Sequence, residues 1–203
     1  MKILCGPSND IRELDFKLPP MHRRIGVLVS GGLDSALLFY LLMSMTNERY
    51  KIVPFTIRRN DGSSSHAQPV IDYVTMSLGL EPITTTYLDI TEQDTENQVA
   101  AGMREISKFN VNKIFIGLID TMSEHTLHVP VYPKPKDSYG CSYPLKDLTK
   151  AHIVDLVIKL GQQGLFNITH SCVYPENRCR ICNRCVEREW AFSELGLVDP
   201  GSV

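Results

Sequence analysis

Nowhere in these 203 residues is there an apolar run long enough to cross a bilayer. The opening stretch, Met1-Lys2-Ile3-Leu4-Cys5-Gly6-Pro7, lacks the long apolar core of a secretory leader, so the expected address is the cytoplasm, with no membrane partner. A basic excess is also missing. Formal net charge is −2 and the isoelectric point is near 6.3, so nothing signals nucleic-acid binding through bulk electrostatics. Internal repeats and low-complexity tracts are lacking, and 43% apolar with 22% charged residues is an ordinary globular balance, which excludes whole-chain disorder. The phosphate-binding signature Gly-Lys-Ser/Thr does not follow the glycine pair at residues 31–32, and no G-x-G-x-x-G fingerprint follows a strand.

What remains is an alternation of strand and helix signals. Ile25–Val29 reads as a buried parallel strand, and Asp34–Met43 as a helix with Leu37, Leu38, Leu41 and Leu42 on one side. Strands follow at 52–57 (interrupted by Pro54), 83–90 and 113–118, with helices at 68–78 and 96–109 between them. Residues 119–143 read as a long binding loop or lid. Thr149 reads as the N-cap of a helix that Gly161 closes. Cys185–Leu195 is a last helix with Val186, Trp190 and Phe192 turned inward, and 198–203 is a loose tail. This order implies an α/β fold with a doubly wound, mostly parallel sheet. Ligands of such sheets bind outside the C-terminal strand ends. The expected division is an α/β domain at 1–160, which holds the ligand site, and a cysteine-bearing segment at 161–203 packed on the same domain.

The first long strand runs into Ser30-Gly31-Gly32-Leu33-Asp34-Ser35 and then into a helix. Paired glycines bare their amides. With the hydroxyls of Ser30 and Ser35 and the helix N-terminus, they make an anion nest. Asp34 in such a nest calls for Mg²⁺, which takes one or two carboxylates together with phosphate oxygens. A plain glycine turn with Ser and Asp as helix caps is the alternative.

Six cysteines occur, and Cys172, Cys179, Cys182 and Cys185 fall within fourteen residues as C-x₆-C-x₂-C-x₂-C. Four thiolates suit a closed tetrahedral Zn²⁺ site, with an iron–sulfur cluster as the chemical rival. Arg178, Arg180, Arg184 and Arg188 lie alongside and are expected to offset its charge. Cys5 and Cys141 read as small buried side chains.

The hexapeptide 30–35 resembles the signature of the PP-loop N-type ATP pyrophosphatases, whose sheet is of the adenine nucleotide alpha hydrolase-like (HUP) type. The loop and the cysteine cluster together resemble the 7-cyano-7-deazaguanine synthase family, in Ser171-Cys172, in Cys179-x-x-Cys182-x-x-Cys185-Val186-Glu187-Arg188, in Ala191-Phe192, and in Pro144-Leu145 with Thr149-Lys150-Ala151. The resemblance implies a ligase that uses ATP, Mg²⁺ and structural Zn²⁺ to join ammonia to a deazaguanine carboxylate. Adenylated carboxylate and amide intermediates would lead to the nitrile of the queuosine pathway. It also implies roles: Ser30, Gly31, Gly32, Leu33 and Ser35 around pyrophosphate, Asp34 on Mg²⁺, Lys150 on phosphate, and Gly117 as a close-approach glycine. Lys150 as a solvated first-turn residue and Gly117 as a simple turn are the plainer readings.

Two stretches depart from the family pattern. The family's Ser-Gly-Tyr-Pro-Asp-Cys-like segment is replaced by 120–128, and its aromatic-Gly-Gln segment by 58–66. They leave the acceptor open: another PP-loop adenylating enzyme, or a catalytically silent zinc-bearing binding module, fits the same motifs. His125 and His128 beside Glu124 suggest a second metal site or solvated loop residues, and Arg58 and Arg59 an anion contact or a basic loop. A homodimer stays open.

Overall fold

A computed structural model describes residues 1–20, 24–46, 49–58, 62–89, 98–106, 108–120, 140–174 and 177–202. Its centre is a five-stranded parallel sheet. The strands are β3 (Arg24–Leu28), β4 (Lys51–Arg58), β5 (Thr86–Asp89), β6 (Lys113–Ile116) and β7 (Cys141–Ser142), in the order β5-β4-β3-β6-β7. From β3 the chain builds outward through β4 to β5, then returns to the other side of β3 for β6. Strand order therefore reverses between β3 and β6, and the C-terminal ends of those two strands form the crevice where open α/β sheets take ligands.

Side-chain alternation divides the core between the two faces. Ile25, Val27 and Phe115 join the larger cluster, while Leu28, Ile114 and Ile116 join a smaller one. The larger face is covered by α1 (Leu33–Met45), α2 (Ala67–Ser77), α4 (Lys150–Lys159), α5 (Leu165–Ile168) and α6 (Asn183–Ser193). The smaller face meets α3 (Gln98–Ile106) through Met103 and Ile106. Leu165, Phe166, Ala191 and Phe192 share the larger cluster with β3, so one core runs through both segments expected from the sequence.

Several expectations need adjusting. Helix α1 is buried almost all round, on Leu33, Ala36, Leu37, Leu38, Phe39, Leu41, Leu42 and Met43, because it lies between the sheet and the other helices. Pro54 sits in an interior strand without breaking it. Phe55 gives its carbonyl to the Val29 amide just past β3, so Pro54 faces the other edge, where β5 joins only from Phe55 onward. Of the strand expected over 83–90, the described residues form strand at 86–89 and not at 83–85. Val186 of α6 is exposed, whereas Phe192 is buried.

A hairpin that the sequence pattern did not announce, β1 (Lys2–Cys5) with β2 (Arg12–Asp15), packs against α4. Its clasp is His152, wholly buried. The Thr149 amide donates to His152 Nδ1 over 3.2 Å, and His152 Nε2–H donates to the Asp10 carbonyl over 2.9 Å. Cys5 is buried in this hairpin, and Cys141 is half-buried in β7. Most of the 119–143 loop, including Glu124, His125 and His128, lies outside the described residues, as do Arg59, Asn60 and Asp61.

The loose tail expected at 198–203 is a correction. Asp199 is buried, and its Oδ2 accepts from Arg178 Nη1 at 2.9 Å and from Arg188 Nε at 2.7 Å. Arg188 is 1% exposed and also donates to Thr169 Oγ1 and the Phe166 carbonyl. A carboxylate thus meets two guanidinium groups, which cannot be left buried and unpaired. Arg178 lies within electrostatic reach of Cys185 and Cys172, while the hydrogen bonds of Arg178 and Arg188 run to Asp199, the Thr169 hydroxyl and backbone carbonyls.

Candidate functional site

The Ser30 loop leaves β3 at the point where strand order reverses. Gly31 has φ +86°, a conformation that favours glycine, and a Cβ there would come within 2.6 Å of the His66 Cβ. Gly32 is the N-cap of α1 and brings no side-chain cap, so the first-turn amides of α1 are not covered by a capping oxygen. Ser30 Oγ and Ser35 Oγ lie 3.1 Å apart, and Ser35 Oγ accepts from the Ser30 amide and donates to the Gly32 carbonyl. Two hydroxyls and a row of amides therefore converge on one small volume, which is the composition of a phosphate cradle. Leu33 is wholly buried, so only its backbone can face a ligand there.

Gly117, at the end of β6, closes the cradle's other wall. A Cβ on Gly117 would approach the Asp34 carbonyl oxygen to 3.0 Å and the Ser35 Cα to 3.1 Å. The structure thus accounts for this glycine by backbone packing against the first turn of α1.

Lys150 is brought to the same place by α4. Its side chain is 5% exposed, and Nζ donates to Asp34 Oδ1 at 2.7 Å and Oδ2 at 2.5 Å. Glu187 of α6 is 3.8 Å from the same nitrogen. The reading of Lys150 as a solvated first-turn residue is therefore corrected. An ammonium at a helix N-terminus opposes the helix dipole, and two flanking carboxylates compensate it. Burial pushes the Glu187 carboxyl above the usual range; the charge of Lys150 pulls it back down and that of Asp34 pushes it up again.

The sulfurs of Cys172, Cys179, Cys182 and Cys185 lie within 4.8 Å of one another. A tetrahedral metal with bonds of about 2.3 Å holds sulfurs about 3.8 Å apart, so small adjustments suffice to close a metal site. Backbone amides already point at these sulfurs: Tyr174 and Cys179 donate to Cys172 Sγ, and Cys182 to Cys179 Sγ, at 3.3–3.4 Å. Arg180 takes the left-handed conformation (φ +61°) that turns the loop between Cys179 and Cys182. The Ile181 amide, then that of Cys182, holds the Cys179 thiol down to about 6, whereas burial pushes Cys185 up to about 12. Four sulfurs around one centre, with backbone amides aimed at two of them, suit a metal ion.

The cysteine loop and the glycine loop are in direct contact. The His170 amide, two residues before Cys172, donates to the Gly31 carbonyl at 2.9 Å. The rings of His170 and His66 stack with centroids 4.2 Å apart, and His170 Nε2 pairs with the Tyr174 carbonyl at 2.5 Å. Burial lowers the His170 pKa. Beside this stack a cavity of about 340 Å³ is lined by His66, Asn167, Thr169, His170, Asn177 and Arg180. Sequence reasoning passed over His66, His170 and Asp199, and met Glu187 only as part of the run Cys185-Val186-Glu187-Arg188, with no role given to it. The meeting of Glu187 with Lys150, and of His66 with His170, joins elements far apart along the chain, so only the tertiary fold reveals it.

A family model described as "Queuosine biosynthesis protein QueC" matches residues 90–196, just over half of the chain. A 7-cyano-7-deazaguanine synthase from Myxococcus xanthus is 43% identical over 60 residues, which are 28% of this chain and 25% of that one. One from Chlorobaculum parvum is 30% identical over 89 residues, 43% and 36% of the two chains. In these local matches the chain spans about a quarter to a third of its relatives' length. One from Hydrogenovibrio crunogenus aligns over 86% of this chain and 93% of its own length at 23% identity. Among solved structures, the U34-tRNA thiolase NcsA from Methanococcus maripaludis has a TM-score of 0.46 at 12% identity, over 85% of this chain and 65% of that one. No helix among the described residues is long and apolar enough to cross a membrane.

Proposed function

The chain belongs to the queuosine biosynthesis protein QueC family, and on that footing we propose that it is an ATP-dependent ligase converting 7-carboxy-7-deazaguanine and ammonia into 7-cyano-7-deazaguanine. The observation that carries the reading is the uncapped α1 N-terminus with Ser30, Gly31, Gly32 and Ser35 converging at the strand-order reversal. In this account those groups, with the Leu33 amide, hold the pyrophosphate portion of ATP, and Lys150 supplies a positive charge beside them. Asp34 is the carboxylate that would hold Mg²⁺. Its side chain is 21% exposed, so it is reachable, and a carboxylate beside a phosphate cradle is the donor set Mg²⁺ favours. Mg²⁺ there would supply charge neutralisation between phosphate oxygens.

The chemistry balances in two activations. A carboxylate oxygen of the substrate bonds to the α-phosphorus of ATP, and the bond to the β-phosphate oxygen breaks, releasing pyrophosphate. Ammonia adds to the carbonyl carbon, and AMP departs with that oxygen while a proton is lost, which leaves the amide. A second ATP adenylates the amide oxygen, releasing a second pyrophosphate and one of the two N–H protons. Loss of AMP and a proton then forms the carbon–nitrogen triple bond. None of these steps needs a strong general base, so the protein's contribution is placement and charge neutralisation. Cys172, Cys179, Cys182 and Cys185 would hold Zn²⁺ as a closed structural site, with no coordination position left for substrate. The direct contact of His170 with Gly31 makes that metal a support for the nucleotide loop.

The test is incubation with ATP, Mg²⁺, ammonium and 7-carboxy-7-deazaguanine, followed by mass detection. AMP together with the nitrile is the expected result. AMP formed only with a different carboxylate or base would overturn the acceptor while keeping the adenylation.

A further inference from the structure

One ammonium group stands between two carboxylates at the mouth of the glycine loop. Lys150 Nζ makes both of its short contacts, 2.7 and 2.5 Å, with Asp34, while Glu187 waits at 3.8 Å. The lysine and glutamate side chains are 5% and 13% exposed, so neither charge can be satisfied by bulk water. Three charged groups here leave one net negative charge beside a loop whose amides and hydroxyls suit phosphate. A divalent cation at Asp34 would reverse that sign. It would also have to take the carboxylate oxygens that Lys150 now occupies.

We propose that Lys150 is the resident counter-ion of Asp34 and that Glu187 is its second berth: when a divalent cation arrives with nucleotide, the ammonium shifts its ion pair from Asp34 to Glu187. This rests on the reading of the Ser30–Ser35 loop as a nucleotide site. A shift of about an ångström brings Nζ from 3.8 Å into ordinary contact with Glu187, within reach of a change in the lysine's side-chain torsions alone. Arg184 is the other cation facing Glu187. Glu187 lies two residues beyond Cys185 on α6, so the helix that carries one of the four cysteines also supplies the receiving carboxylate. Glu187 is thus a positioning residue: it governs the concentration of divalent cation at which the site becomes competent, and leaves its limiting affinity for nucleotide alone.

The experiment uses the metal-loaded chain and the non-cleavable analogue α,β-methylene-ATP, with binding followed calorimetrically as Mg²⁺ is raised. In Glu187→Gln the lysine loses its second berth and stays on Asp34. Half-maximal binding should then need about ten-fold more Mg²⁺, with analogue affinity at saturating Mg²⁺ and bound zinc both unchanged. Glu187→Asp, which keeps the charge, should recover most of the shift. With Lys150→Met as background, Glu187→Gln should have no further effect on the Mg²⁺ midpoint, because the competitor is gone. An unaltered midpoint in Glu187→Gln overturns the proposal, and so does an equal shift in the two backgrounds. A wild-type chain that binds no analogue at any Mg²⁺ concentration is a distinct result, which overturns the nucleotide reading of the loop itself.

Discussion

Gly31 and Asp199 show how much of this molecule turns on single side chains, or on the want of one. Gly31 combines φ +86° with a neighbour that leaves no room for a Cβ, so Gly31→Ala meets both backbone strain and a clash with His66. It should lower stability by about 1–3 kcal/mol and weaken analogue binding more than that loss of stability explains. Thermal unfolding and a binding titration on the same preparation separate the two effects. Asp199→Ala strips two guanidinium groups of their carboxylate. An unpaired buried charge costs about 3–5 kcal/mol, which denaturant unfolding measures directly. His152 gives the pH dependence. Burial, then the Arg12 charge, holds its folded pKa below the ordinary value. A depressed histidine is neutral in the fold while the unfolded chain takes up a proton. Stability is therefore full above about pH 6.5 and falls as pH drops through the folded pKa. The His152→Gln variant should lose that segment of the pH–stability curve. Of these residues the sequence announced only Gly31, because a doubled glycine after an apolar run is a local signal. The partners of Asp199 and His152 come from distant elements, and no local pattern encodes such a meeting.

At the scale of elements, the strand–helix alternation was readable because each segment answers to its own periodicity. β3, β4, β6, α1, α2 and α4 lie where apolar spacing puts them, within a residue or two. The hairpin β1–β2 was not readable: strands of four residues, with Leu4 and Ile11 exposed, carry too little alternation. The final turn was misread because polar, glycine-bearing tails are usually free, and only the buried Arg188 reveals why this one is held. Helix α6 joins the two halves of the candidate site, since its first turn carries Cys185 and its second faces Lys150 through Glu187. Removing the metal should therefore act beyond the cysteine loop. Cys182→Ser, or treatment with a strong chelator, is expected to release the metal, lower the melting temperature and weaken analogue binding together. Retention of full nucleotide affinity by a metal-free chain would contradict the support role. Elemental analysis of anaerobically purified protein decides between zinc and iron.

For the molecule as a whole, the sheet order sets the chemistry. Reversal of strand order between β3 and β6 creates one crevice, and the glycine loop, Gly117 and Lys150 all border it. The cysteine loop reaches the same crevice through His170 and Gly31, so the proposed metal site and the proposed nucleotide loop are in direct contact. Both motifs were legible in the sequence as motifs. Their contact was not, because 140 residues separate Gly31 from the first cysteine of the cluster. The central claim is that the amides and hydroxyls of residues 30–35 hold the pyrophosphate portion of ATP. The most direct measurement is a crystal structure with α,β-methylene-ATP and Mg²⁺. The account predicts β- and γ-phosphate oxygens against the Gly31–Ser35 amides, with the metal ion on Asp34. A triphosphate bound anywhere else, with that loop unchanged and unliganded, would contradict it.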